Sequence, residues 1–237
     1  MIFFQQKPYV IALIFILAGM DRVFSQSSDT TTTSQNGKAL TFFGSLDAYY
    51  TYDFNQPESG DRPGIFFSHT RHNAININTA VLGLNYTTER VRANLALLAG
   101  DYSVSNYAAE QQLFQNIYEA YAGVLLTDNV WLDVGIFSSH IGLEGGIGPQ
   151  NPTLSRSLVA HSSPFYESGA KLTYTPDESW SFQVLLLNGW QNIQENNSNK
   201  ALGTQISFSP SESLTLNSST LPGAVNNAPD GVESFRY

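Results

Sequence analysis

Apolar and polar residues alternate along most of the chain, most clearly in residues 116–142. Side chains of a strand point alternately to its two faces, so this stretch predicts two strands. Residues 127–129 between them predict a tight hairpin turn. One face of the hairpin is free of charge, whereas the other carries large aromatics, glycine and single carboxylates such as Glu119 and Asp133. Such a mixed face is not typical of the solvent side of a soluble sheet.

The same alternation continues from Leu40 to the end of the chain and predicts nine strands. Besides the two strands of the hairpin, they lie at 40–54, 73–86, 91–102, 164–175, 180–190, 201–209 and 214–220. The connections alternate between short turns and long loops, of which 138–163 is the longest. Outer-membrane barrels have short periplasmic turns and long extracellular loops. A soluble sandwich, the alternative fold, has no reason to place every long loop on one edge.

The apolar row of each predicted strand supports the same interpretation. No Asp, Glu, Lys or Arg stands in the middle of these rows, and aromatic residues lie near their ends. The aromatics beside the short turns are Phe42, Tyr174, Trp180 and Phe208; those beside the long loops are Tyr52, Tyr118, Tyr166 and Trp190. Two aromatic belts around an aliphatic band are typical of the two membrane interfaces. The predicted fold is all-β, an antiparallel transmembrane β-barrel built as an up-and-down meander.

The N-terminal segment predicts export. Residues 1–25 contain Lys7, then a short apolar run, and Ser25 precedes a suitable cleavage point, which together indicate a signal peptide. An N-terminal membrane anchor is the alternative, but the apolar run is short for a spanning helix. Residues 26–39 are polar and of low complexity, which predicts a disordered tether. The barrel then occupies 40–237, and the expected location is the outer membrane, reached through the periplasm.

Composition excludes some functions. The chain has 237 residues, a formal net charge of −9 and no cysteine. Without cysteine it has neither disulfides nor thiolate metal ligands. The acidic balance argues against nucleic acid as a partner, because nucleic acids bind basic surfaces.

The inward rows carry the residues expected to line a lumen. They comprise five acids and two bases, namely Asp47, Asp53, Glu119, Asp133 and Glu167 with Arg92 and Lys171. A polar lumen with net negative charge favours cations. The alternative is a wall of paired charges that stabilises the barrel and selects nothing.

The longest loop predicts a constriction. Asn151 and Pro152 suit a helix start, and a helix through Ala160 would place Leu154 and Leu158 on one face. Arg156 would then point from the opposite face towards Glu119, Asp133 or Glu167 across the lumen, and opposed charges of this kind set selectivity. The alternative is a solvated surface loop with Arg156 exposed.

Catalytic and metal motifs are weak. The four histidines, His69, His72, His140 and His161, lie near the long-loop edge, and His140 has no obvious partner in the sequence. A catalytic triad requires three groups brought together by the fold, which sequence order does not supply. His69 and His72 are close in sequence but lie in a loop, which is a weak metal signal. We therefore expect no enzyme activity, no metal and no cofactor.

Several motifs resemble a known family. They are Arg71-His72-Asn73, NYAAE at 106–110, IYEAYAG at 117–123, GIFSSHIGLE at 135–144, TLSRSL at 153–158, SPFYESGAKLTYTP at 163–176 and LLNGWQNI at 186–193. Together they resemble the β-barrel porin family described as OmpL-like, over about Leu40 to the C-terminus. The resemblance implies a porin-like barrel in a Gram-negative outer membrane and assigns no catalytic residue and no substrate.

The strand count predicts an incomplete barrel. Members of the family look longer, and residues 232–237 resemble the start of a further strand. Single-chain bacterial barrels close with an even number of strands, so nine leave an edge unpaired. The expectation is that C-terminal strands are missing from this chain.

The resulting hypothesis is a channel for passive diffusion of ions or small polar solutes. Its partners would be outer-membrane lipid and these solutes, and an oligomer is left open. The alternatives are an outer-membrane hydrolase and a structural or adhesive barrel with a plugged lumen. The sequence does not define the solute, the selectivity or the pore radius.

Overall fold

The alternating segments form one antiparallel sheet of ten strands within residues 30–34, 38–64, 66–153, 156–196 and 199–222, which the computed structural model describes. Each strand pairs with its sequence neighbours, so the sheet is an up-and-down meander. The strands are β1 (Thr30–Ser34), β2 (Lys38–Thr51), β3 (Ala74–Thr87), β4 (Val91–Ala99), β5 (Ile117–Thr127), β6 (Val130–Ser138), β7 (Tyr166–Tyr174), β8 (Trp180–Leu187), β9 (Ala201–Ser211) and β10 (Leu214–Thr220). The predicted nine strands correspond to β2–β10, and the all-β antiparallel class is confirmed.

The sheet has two free edges. In the described part of the chain β1 and β10 do not pair with each other, so the sheet is not closed there into a barrel. Residues 232–237, where a further strand is expected, lie outside the described residues.

Strand β1 differs from the expectation of a disordered tether at 26–39. Its residues pair with the start of β2, from Thr30 opposite Phe42 to Ser34 opposite Lys38. Threonine is β-branched and suits an extended backbone, so a low-complexity threonine run can still add a strand to an existing edge. Residues 26–29 and 35–37 of the tether, and the predicted signal peptide at 1–25, lie outside the described residues.

The predicted alternation of connections is confirmed. Short turns at 88–90, 128–129, 175–179 and 212–213 lie on one edge of the sheet, and loops 52–73, 100–116, 139–165 and 188–200 lie on the other. Local side chains hold two of the turns. Thr88 Oγ1 accepts the N–H groups of Arg90 and Val91, and Asp177 Oδ1 accepts those of Ser179 and Trp180. Such side-chain bonds replace ladder bonds where the chain reverses.

The long loops contain short helices. They are α1 (Asp101–Asn106), α2 (Leu158–His161) and 3₁₀ turns at Phe114–Asn116 and Gly148–Gln150. The helix predicted from Asn151 to Ala160 is wrong in its start, because Asn151 ends the second 3₁₀ turn and Ser157 caps α2. No helix in the described part of the chain is long and apolar enough to cross a membrane.

The two faces of the sheet differ sharply in exposure. Val81 is 5% exposed and the following Leu82 66%, and Leu185 is fully buried beside Leu186 at 53%. The exposed row is aliphatic along the middle strands. Near the short turns it ends in stacked aromatics, with the rings of Trp180 and Phe208 4.3 Å apart. This arrangement agrees with the aromatic belt predicted on that side.

The belt predicted beside the long loops is largely wrong. Tyr52 is exposed, but Tyr118 and Tyr166 are buried. The β4–β5 register shifts between Ala96 and Leu97, so Tyr118 is the extra residue of a bulge, and a bulge re-aims its side chain. Tyr166 is covered by loop 100–116: its ring stacks on Tyr107 at 4.1 Å. The core of the protein therefore lies where the long loops fold onto the sheet.

Candidate functional site: the inner wall and its loops

Six of the seven predicted lumen residues lie in strands. They are Asp47 in β2, Arg92 in β4, Glu119 in β5, Asp133 in β6 and Glu167 and Lys171 in β7. Arg92, Asp133 and Lys171 fall in one cross-strand row through Gly123, so they share a face of the sheet. Their neighbours Val91, Val134 and Leu172 are exposed on the opposite face. The sheet thus brings the predicted charges together on one wall, which we call the inner wall.

Asp53 has a different place. It lies beyond the end of β2, in loop 52–73. Its carboxylate accepts the N–H of Asn55 at 2.9 Å, and its own N–H donates to His72 Nδ1 at 2.9 Å. Asp53 therefore shapes the start of this loop.

Arg92 and Asp133 form the shortest ion pair among the described residues of the wall. The guanidinium donates from Nε to Oδ1 at 2.7 Å and from Nη2 to Oδ2 at 2.5 Å, and Asp133 is 1% exposed. Arg92 also lies over the Trp131 ring, 4.4 Å from its centroid. Gly123, on the strand between them, leaves the room, since a Cβ there would collide with Asp133 Oδ1. Two parallel charge-assisted hydrogen bonds hold this pair in a fixed orientation.

Lys171 stands beside this pair without joining it closely. Its Nζ lies 4.0 Å from Asp133 Oδ2, which is beyond hydrogen-bond distance. The ammonium lies over the ring of Phe137, 4.4 Å from the centroid, and 5.6 Å from that of Tyr121. No hydrogen bond joins it to another described residue. Lys171 is thus held mainly by cation–π contacts.

His140 is the inner-wall residue that the sequence does not reveal. It lies in loop 139–165, and its Nδ1 is 2.8 and 2.9 Å from the two carboxylate oxygens of Glu167. Its Nε2 is 2.9 Å from the carbonyl oxygen of Thr220. A carboxylate and a carbonyl oxygen both accept hydrogen bonds, so this geometry favours the doubly protonated ring, an imidazolium cation.

The pKa of His140 agrees with this geometry. Burial disfavours the charged form, but the hydrogen bond and the negative charge of Glu167 outweigh it and raise the pKa. The histidine also connects distant strands, since its carbonyl oxygen accepts from Gln205 in β9 and, at 2.8 Å, from Ser219 in β10. Gly203 leaves space for the ring, because a Cβ there would lie 2.7 Å from His140 Cε1. The sequence gives one indication of this ion pair. His140 comes just after β6, and Glu167 lies at the start of β7, the strand that pairs with β6.

Glu119 accepts hydrogen bonds from a neutral residue. Ser138 donates to Glu119 Oε1 from its N–H at 3.2 Å and from its hydroxyl at 2.5 Å. No cation lies within 4.0 Å of this carboxylate among the described residues.

Asp47 is paired through loop 52–73. His69 Nε2 lies 3.0 Å from Asp47 Oδ2, which also accepts from Asn78 Nδ2 at 2.8 Å. The backbone N–H of His69 donates to Asn78 Oδ1 at 2.9 Å, which holds the histidine in place. His69 and His72 therefore have separate partners.

The charges of the central wall, which we define as the inner wall from β4 to β7 together with His140, balance in number. It holds three carboxylates, Glu119, Asp133 and Glu167, and three cations, Arg92, Lys171 and His140. The net-acidic lumen stays a prediction, and the imidazolium makes this part of the wall closer to neutral than the sequence suggests.

Arg156 is buried in loop 139–165 and does not meet the expected carboxylates. It is 8% exposed, its Nη1 donates to the Tyr102 hydroxyl at 3.0 Å, and its guanidinium lies 4.2 Å from the Phe165 ring centroid. It also donates to the carbonyl oxygens of Glu144 and Ala160. Residue 154 lies outside the described residues. Arg156 thus anchors one long loop to another.

Glu144 organises the same loop around α2. Its carboxylate accepts from Thr153 Oγ1 at 2.5 Å, and from the N–H and hydroxyl of Ser157 at 2.8 and 2.5 Å. Partial desolvation opposes ionisation, but these hydrogen bonds outweigh it and lower the pKa of Glu144 to about 2. Ser157 in turn caps α2 by accepting the N–H of Ala160 at 3.2 Å.

The loop runs along the inner wall. A Cβ on Gly146 would lie 3.0 Å from the Tyr118 ring, and one on Gly148 would lie 3.9 Å from Asp47 Oδ2. With the bonds of His140 to β9 and β10, these contacts carry loop 139–165 across the inside of the sheet.

Loops 100–116 and 188–200 join this assembly. Tyr166 donates to Glu110 Oε1 at 2.8 Å, which also accepts the N–H of Ile193 at 2.8 Å. Gln191 Nε2 donates to the carbonyl oxygen of Asn106 at 2.9 Å. Burial raises the pKa of both Tyr102 and Tyr107, so their hydroxyls stay neutral. We call this set of contacts the loop cap.

An antiparallel meander with an exposed apolar face, a charged inner wall and long loops on one edge is typical of the wall of an outer-membrane β-barrel. The chain belongs to the family described as "Putative beta-barrel porin-2, OmpL-like", whose model matches residues 39–236. Membership in this porin family implies the outer membrane. Neither a search of curated proteins nor a search of solved structures found a significant match.

Proposed function

We propose that the protein is a passive diffusion channel of the Gram-negative outer membrane for ions or small polar solutes. The contrast between the two faces of the sheet supports this most directly. Exposed apolar residues such as Leu82, Val134 and Leu186 suit contact with lipid. The central part of the inner wall carries three cations and three carboxylates, and such groups suit a water-filled path.

Loop 139–165 is the proposed constriction. It passes along the inner wall close to Asp47 and Tyr118, and is fixed to β7, β9 and β10 by His140. A loop held against the inside of the sheet reduces the open cross-section. Arg156 contributes by anchoring this loop to Tyr102, rather than by facing a carboxylate across the pore.

Export follows from the same proposal. Residues 1–25 would act as a cleaved signal peptide that directs the chain to the periplasm before membrane insertion. N-terminal sequencing of the protein from outer membranes would then begin at Gln26.

The test is single-channel recording in planar bilayers. The full mature chain is refolded into detergent, and its folding is checked by heat-dependent migration on a gel. Discrete conductance steps are expected, and removal of residues 145–161 should give larger steps. A folded protein that gives no steps in either form would overturn the channel proposal.

A structural barrel with a plugged lumen is the second candidate. The loop cap favours it, because Tyr102, Tyr107 and Tyr166 are at most 1% exposed and leave little free space where the loops meet. This candidate predicts no conductance from the intact protein, because the loop cap closes the lumen. The same recordings therefore separate the two candidates.

The geometry of His140 gives no support to a hydrolase. A general base needs a free lone pair, but Glu167 and the Thr220 carbonyl engage both ring nitrogens. The expectation of no enzyme activity is kept as part of the proposal.

A further inference from the structure

Two charges of the central wall are not held in hydrogen-bonded ion pairs. Arg92 is paired with Asp133 and His140 with Glu167, through contacts of 2.5 to 2.9 Å. That leaves Lys171 and Glu119. The nearest charged contact of Lys171 is Asp133 Oδ2 at 4.0 Å, and this oxygen already accepts from Arg92. Glu119 has Ser138 as its hydrogen-bond donor.

Lys171 and Glu119 both contact the end of β6. The Lys171 ammonium is over the Phe137 ring, 4.4 Å from its centroid, and Glu119 is bound to Ser138, the next residue of β6. The Lys171 side chain keeps 18% of its surface exposed. Its three N–H donors make no hydrogen bond within the described residues. An ammonium and a carboxylate are thus presented against two consecutive residues of β6, each with unused hydrogen-bonding capacity and with no ion pair within 4.0 Å between them.

Such an arrangement discriminates between kinds of charge. A simple cation attracted by Glu119 is repelled by Lys171, and a simple anion attracted by Lys171 is repelled by Glu119 and Asp133. A solute that carries both an ammonium and a carboxylate satisfies both groups at once, if it is aligned antiparallel to them. Electrostatic complementarity of this kind gives specificity rather than strong binding, as a diffusion pathway requires.

We propose that Lys171 and Glu119 form a subsite for zwitterionic solutes, namely amino acids and short peptides. This inference rests on the proposed channel function and adds a substrate class to it. The solute carboxylate binds Lys171 Nζ and its ammonium binds Glu119, while the pairs Arg92–Asp133 and His140–Glu167 keep the wall in place.

The test compares two solutes of similar size in liposome swelling. Glycylglycine is the zwitterion and arabinose the neutral comparator, each added to vesicles that contain the full mature chain. Lys171→Met and Glu119→Gln remove one charge each with little change of size. The matched control is Lys200→Met, which removes an exposed lysine paired with Glu195 in loop 188–200.

The expected result is a change in the ratio of the two rates. Glycylglycine entry relative to arabinose entry should fall about fivefold in each single variant, which is the effect of one unit charge about 4 Å away in water. It should stay unchanged in Lys200→Met. Lys171→Arg keeps the charge and should keep the ratio, which provides a second test if Lys171→Met folds poorly.

The outcomes separate the two proposals. If neither solute enters vesicles that contain folded protein and planar bilayers show no conductance steps, the channel function itself is wrong. If arabinose enters but the ratio is the same in all variants, the zwitterion subsite is wrong and the channel stands. If Lys171→Arg loses the preference while Glu119→Gln keeps it, the lysine acts through packing and the subsite is again wrong.

Discussion

His140 and Glu167 form a buried ion pair although 27 residues separate them in the chain. The imidazole Nδ1 lies 2.8 and 2.9 Å from the two carboxylate oxygens, and the glutamate is fully buried. Pairing of β6 with β7 brings Glu167 opposite Phe137, three residues before the histidine. The pair fixes loop 139–165 to the sheet, so its removal should affect both stability and pore size.

Glu167→Gln should strongly destabilise the protein. It leaves the His140 cation buried without a countercharge, and breaking one side of a buried pair costs about 3–5 kcal/mol. The measurement is urea unfolding of the refolded protein in lipid vesicles, followed by tryptophan fluorescence. Glu195→Gln is the matched control, because it breaks the exposed Lys200 pair and should cost less than about 1 kcal/mol. Equal losses in the two variants would contradict the role of the buried pair.

The free energy of unfolding should decrease as the pH becomes alkaline, because His140 loses its proton. The pKa of this group is raised above its ordinary 6.5, so the folded protein binds the proton more tightly than the unfolded chain. The contribution is fully present below pH 6.5 and is lost as pH rises through the raised pKa. Urea midpoints measured from about pH 6 to about pH 9 test this. Much of the decline should disappear in His140→Gln, and an unchanged slope in that variant would assign it to other groups.

An arginine should destabilise the protein on the apolar face of the sheet and should be tolerated on the inner wall. Val134 is 55% exposed on the apolar face, whereas Gln183 is half-buried on the inner wall. Val134→Arg should cost about 2–4 kcal/mol of folding free energy in lipid, as arginine does near the bilayer midplane. Gln183→Arg should have a small effect. Folding yields into vesicles, read from heat-dependent gel migration, compare the two, and similar yields would refute the assignment of the faces.

Arg156→Met should loosen the constriction. The substitution keeps an apolar stem but removes the hydrogen bonds to Tyr102 and to two loop carbonyls. Larger and noisier conductance steps are expected in planar bilayers, because loop 139–165 loses an anchor. Arg90→Met is the control, since Arg90 is exposed in a short turn on the other edge. Identical recordings from both variants would show that Arg156 does not hold the loop.

The sheet could be predicted because its rule is local. A strand buries or exposes every second residue, so β2–β10 and their turns follow from the alternation alone. Tyr118 marks the limit of this rule. One extra residue at the β4–β5 bulge changes the direction of the Tyr118 side chain. The apolar pattern around Tyr118 gives no sign of this bulge.

Contacts between loops and sheet could not be predicted in this way. The sequence predicts that Arg156 faces a carboxylate, but this residue donates to Tyr102, 54 residues away, because two separate loops fold together. The sequence shows no partner for His140, because its hydrogen-bond partners come from β7 and from the end of β10. Loop conformations depend on which elements happen to surround them, and strand periodicity contains no information about that.

The loop cap has a consequence for the order of assembly. Gln191 binds Asn106 across 85 residues of chain, and Ile193 binds Glu110 across 83. Such distant segments meet only after β5 to β8 have paired, since the loop-closure entropy is otherwise too large. The cap should therefore form last, after membrane insertion. Loops 100–116 and 188–200 should then become resistant to added protease later than strand structure appears. The onset of this resistance would mark the final step of biogenesis.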